Sequence, residues 1–154
     1  MRHLITLAAL VVSTSAFAAA DDQHMVTVEV LPINELALDG GDVYLRIDSA
    51  TAGEDPDPAF DSSASLRWTT NEANKKIVAA TDNAAPKFRL FVEAGSVSGG
   101  ASAGQLELST SAQDLVSGIS LTVGAAQLQY EARALASDGT GTDVHNVTYT
   151  LVDA

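Results

Sequence analysis

The chain has 154 residues, with 20 Asp and Glu against 8 Lys and Arg, three His and no cysteine. That balance argues against a nucleic-acid or anionic-membrane partner, which would need clustered cations, and only Lys75 and Lys76 are adjacent. Without cysteine the fold must be held by a hydrophobic core rather than by disulfides, and the length suffices for one such core.

Residues 1–20 read as a secretory signal peptide. Arg2 and His3 give a cationic start, Leu4 to Val12 an unbroken apolar run, and Ala16-Phe17-Ala18 a small-x-small cleavage site. The run is about half the roughly 20 residues that a spanning helix needs, so no transmembrane segment is predicted. The expected product is a single exported domain, residues 21–154, at the cell surface, in the periplasm or outside the cell. Loss of Arg2 leaves 20 acidic against 7 basic residues, a net charge of −13.

From residue 21 the hydrophobic period is two, and short runs are punctuated by Gly, Asp, Asn, Ser and Pro. After a polar leader, Val26, Val28 and Val30 alternate, Pro32 interrupts, and Leu36 and Leu38 follow. Asp39-Gly40-Gly41-Asp42 is a turn. Val43, Leu45 and Ile47 then point one way, and Tyr44, Arg46 and Asp48 the other. Further strands are predicted at Leu66-Trp68, Ile77-Ala79, Phe88-Val92, Leu106-Leu108, Ile119-Val123, Leu128-Ala134 and Val147-Leu151, nine or ten in all. Trp68, Leu90, Leu121 and Tyr149 are expected to face inward. One helical turn is expected at Ser111–Val116. Loops are expected at 50–65, 94–104 and 137–143. The pattern predicts an all-β fold, an antiparallel two-sheet β-sandwich of Greek-key or immunoglobulin-like type.

No catalytic signature is present. Only His24 and His145 follow the signal segment, and no nucleophile elbow, zinc-protease, P-loop or dinucleotide motif occurs. Gly99-Gly100-Ala101-Ser102-Ala103-Gly104 lacks the Lys and the strand-to-helix setting of a phosphate cradle. The chain is therefore expected not to be an enzyme. The one candidate metal site is the acidic stretch of Glu54, Asp55 and Asp57 with Asp61, oxygen donors of the kind Ca²⁺ prefers on a bendable loop. It does not have EF-hand spacing. A secreted module binding Ca²⁺ or glycan through that loop is one functional expectation.

The other rests on the two ends. Val26, Val28 and Val30 form an alternating strand set apart by Pro32, able to pair with another subunit. The C-terminal run is Val147, Tyr149, Leu151, and Gly141 lies fourteen residues from the end. In these features the chain resembles pilin subunits of chaperone–usher fimbriae. The resemblance implies an incomplete sandwich completed by a neighbour's N-terminal strand, with self-association into a filament or surface assembly. It covers the ends and the fold class. Tyr149 stands sixth from the end where the family has a penultimate Tyr, and the disulfide common in such subunits is missing.

Overall fold

The computed structural model describes residues 21–154; the expected signal peptide lies outside the described residues. Two units are distinguished, one ending at Val30 and one spanning Leu31–Ala154. In the first, Asp21–Val30 has exposed side chains and no strand assignment. The second is an all-β body of ten strands.

These are β1 (Asn34–Asp39), β2 (Ala59–Asp61), β3 (Ser65–Thr70), β4 (Lys75–Thr81), β5 (Arg89–Ser98), β6 (Ala101–Ser102), β7 (Leu106–Glu107), β8 (Gln113–Ile119), β9 (Thr122–Arg133) and β10 (Val147–Asp153). They form two antiparallel sheets. The first has the order β1-β3-β9-β5-β7, with β2 beside β9 below β3; the second has the order β10-β4-β8-β6. The sequence-predicted β-sandwich is the observed architecture.

Period-two alternation builds the core directly. Leu66 and Trp68 of β3, Val92 and Ala94 of β5, and Ala126, Leu128 and Tyr130 of β9 face Ile77 and Ala79 of β4 and Leu115, Val116 and Ile119 of β8. Trp68 is 2% exposed and lies in register with Gly124, whose missing side chain makes room for the indole. A Cβ at Gly124 would overlap the ring. The indole Nε1 has no hydrogen-bond partner among the described residues.

Val26–Val30 carries no strand assignment within the single chain, because alternation sets the faces of a strand but supplies no ladder partner. Four expectations are corrected. Val43–Ile47 keeps its predicted in-out alternation yet joins no ladder for the same reason. Ser111–Val116 is not a helical turn. Most of it belongs to β8, whose pairing with β4 shifts register, so that Leu115 and Val116 are both buried and simple alternation is lost. The expected strand Ile119–Val123 is broken, because the chain changes sheets between β8 and β9. Leu121 therefore faces outward, 70% exposed, with φ of 47°. Of the other residues expected inside, Trp68 is buried and Leu90 and Tyr149 are half-buried against the core.

The expected loop 94–104 is mostly strand. Small residues carry backbone groups as good as any, and β5 stays paired to β9 as far as Ser98, across an irregularity at Gly95–Ser98. Gly99, at φ 70°, and Gly100 then turn the chain from the first sheet into the second. A Cβ on Gly100 would press on Val116 and Ile119. The glycine run is thus a corner between sheets.

Gly124→Ala should lower stability by about 1–3 kcal/mol through overpacking against Trp68, and Leu128→Ala by about 2–5 kcal/mol through a cavity. Urea unfolding followed by Trp68 fluorescence measures both. Wild-type midpoints in either variant would contradict this packing.

Candidate functional site

Both sheets end on the same flank, where edge strand β1 of the first sheet lies against edge strand β10 of the second. Among the described residues β10 pairs with β4 alone, from Val147↔Thr81 to Asp153↔Lys75. The backbone groups on its other side have no ladder. The segment Asp42–Asp48, which follows β1 through the Gly40-Gly41 turn, forms no backbone–backbone hydrogen bond among the described residues.

Burial reports the same opening. Ile77 and Ala79 of β4 are fully buried, but their register partners Leu151 and Tyr149 on β10 are only half-buried. Leu36, Val43, Leu45 and Val147 also pack on the core and remain half-exposed. One strand further out, the inward-facing row is incompletely covered. An unpaired edge with an apolar inner face is a template for another strand.

Tyr149 marks the middle of this edge. Its hydroxyl meets that of Tyr130 at 2.5 Å, joining β10 to β9 across the sandwich. Burial pushes both phenols above their usual range, so the pair stays neutral and hydrogen-bonded at all ordinary pH.

The start of the body is fixed by a side chain that imitates a strand. Asn71 Nδ2 donates to the Leu31 carbonyl at 2.8 Å, and Ile33 N–H donates to Asn71 Oδ1 at 2.7 Å. The Asn71 N–H donates to the Ile33 carbonyl at 3.2 Å. Beside it, the Lys75 ammonium contacts both Glu72 and Asp153, and Asn34 donates to Glu72, tying β1 and the end of β10 to one turn. Hydrogen bonds from Asn34 and Lys75 hold the Glu72 carboxyl below its usual range.

The residues singled out for metal are placed differently from a cation cage. Asp55 accepts from the Ala136 N–H, Asp57 from the Ser49 hydroxyl, and Asp61 from Ser63; Glu54 is exposed. No group of three His, Asp or Glu side chains that could hold a metal ion occurs among the described residues. The structure does not bring these four carboxylates together. The strand residues Val26, Val28 and Val30 are each highly exposed, Val28 at 82%. Gly141 lies in the loop before β10 rather than within the last strand. His145 is half-buried, with Nδ1 3.1 Å from the Thr81 hydroxyl.

Sequence reasoning missed a cluster on the outer face of the first sheet. Cross-strand register aligns Glu107, Phe91, Glu131 and Phe60 in one row. Arg89 pairs with Glu107 at 2.6 Å, Arg133 with Glu131, and both guanidiniums stack on Phe91. Glu131, 7% exposed, also accepts from Gln105 at 2.6 Å. The only signal in the sequence was charge at alternating positions, which does not reveal cross-strand neighbours. Each ionic group has its partner within the cluster, so it braces β7, β5 and β9.

No protein-family model matches the chain, and no curated protein matches it.

Ion pairing holds the Glu131 carboxyl below its usual range, through Arg133 first, and Glu107 likewise through Arg89. A carboxyl whose folded pKa is depressed stabilises above its unfolded value, near pH 4.3, and that contribution is lost as pH falls through the folded pKa. Urea midpoints should therefore drop on acidification below about pH 4.5. Glu131→Gln should be less stable at neutral pH and show a flatter acid limb. An unchanged acid limb would contradict the assignment.

Proposed function

We propose that this protein is an exported structural subunit that assembles by strand exchange: Val26–Val30 of one copy adds to the free side of β10 in the next. The carrying observation is the half-buried row of Val147, Tyr149 and Leu151 on a strand with one ladder partner. The donor has the matching character. Val26, Val28 and Val30 recur at every second position, so one face of an added strand would present three apolar side chains to the open core while its backbone continues the ladder.

The arm Asp21–Val30 is ten residues, and extended it reaches roughly 33 Å, enough to run the length of a seven-residue edge strand in another molecule. Its composition fits the task. Apart from the three valines it is mostly polar, so an unpaired arm remains soluble. The domain is read as structural rather than catalytic, and as exported, on the signal-like segment and the acidic surface together.

Val28→Asp would place a charge against the open core and should abolish polymerisation while leaving the body folded. Sedimentation velocity and negative staining of mature wild type and variant, side by side, measure this. Regular fibres from wild type and monomers from the variant are the expected pair. Monomers from both would overturn strand exchange.

A further inference from the structure

The outer face of the first sheet carries an apolar strip that begins where the arm leaves the body. Register aligns Asn34, Thr70 and Thr122 across β1, β3 and β9, and one residue beyond the ladder stand Ile33, Asn71 and Leu121. They are linked in the structure: Asn71 N–H donates to Ile33, and Leu121 N–H donates to the carbonyl of Glu72. The next outward-facing rows are Glu35, Thr69, Val123 and then Ala37, Arg67, Ala125.

Three observations single this strip out. Leu121 and Val123 are 70% and 71% exposed, and Ile33 is exposed beside them. Leu121 is held at φ 47°, a left-handed conformation that suits Gly or Asn and strains a leucine. A large apolar side chain is presented there although nothing in its own fold covers it. The nine positions carry only two charges, Glu35 and Arg67, and Arg67 is bound by Asp39 at the rim of the same face. In a mature chain of net charge −13, a face left with one net negative charge is a weakly charged place for two like-charged copies to meet.

Resting on the strand-exchange reading, we infer that the Ile33–Leu121–Val123 strip docks against the neighbouring copy that holds the arm. The occupant is set by connectivity. A copy that has captured Val26–Val30 is tethered a few residues from Ile33, so its effective concentration at the strip is high, and even a small apolar contact there stiffens the joint.

The test combines Leu121→Asn, which tolerates the left-handed backbone, with Val123→Thr, which keeps β-branching. In the mature full-length chain the double variant should fold with a wild-type urea midpoint, form shorter fibres, and need a critical concentration about tenfold higher. A second arm uses Val28→Asp protein as a monomeric acceptor. It should bind a labelled peptide of residues 21–31 equally with and without the two strip substitutions. If the peptide binds equally but the strip variant polymerises like wild type, the docking inference is overturned and strand exchange stands. Peptide binding to neither acceptor overturns strand exchange, and the docking inference with it. Peptide binding lost only on the strip substitutions makes the strip part of the acceptor, which also overturns docking.

Discussion

A sandwich covers its core only as far as its strands reach, and each edge strand leaves half of its backbone groups without a ladder. That constraint governs this molecule. On one flank both edge strands, β1 and β10, lie together, and the chain there offers only Asp42–Asp48, which presents alternate apolar side chains but contributes no backbone hydrogen bond. The inward residues of β4 are sealed and those of β10 are not. Natural edges are commonly blunted by charge, proline or a bulge. The seven residues of β10 contain none of these before Asp153.

With no cysteine to fasten the two layers, cohesion falls to side-chain packing and to a few polar ties. Trp68 fills the space over Gly124 and Leu66, Ile77, Leu115 and Leu128 fill the centre. The Tyr130–Tyr149 contact ties β9 to β10 across the layers, and Lys75, with Glu72, Asn34 and Asp153, ties β1 to the second sheet on the same flank. Elsewhere the polar interactions lie on the outside. The Arg89, Arg133, Glu107 and Glu131 cluster joins three strands over the face of Phe91, turning an exposed sheet surface into a cross-braced one. Because these pairs depend on ionised carboxylates, the acidic composition of the chain is partly structural.

What could be read from the sequence was the period, and with it the fold class and most inward positions: Leu66, Trp68, Ile77, Ala79 and Leu128 all lie where alternation puts them. Pairing was not readable. Val43–Ile47 alternates as well as any strand in the protein and has no ladder, because side-chain polarity records which way a residue faces and not which backbone lies beside it. The phase also failed where the chain crosses between sheets. Leu121 follows Ile119 at strand spacing, yet a turn of two residues reverses the inward direction and sends it to solvent. The acidic residues 54–61 show the same limit for chemistry: proximity in sequence suggested a shared cation, and each of three carboxylates instead serves a separate hydrogen-bonding partner.

Asn71 has a mechanical meaning. Its amide and backbone grip Leu31 and Ile33 at the point where the N-terminal arm enters the body, immediately ahead of the six register pairs that join β1 to β3. A pull transmitted along the arm in line with β1 would load that ladder in shear. All of its hydrogen bonds would then share the force, whereas a pull across the strand would open them one after another. A joint of this form lets the first strand of a body without disulfides bear a pull on the arm as a whole ladder.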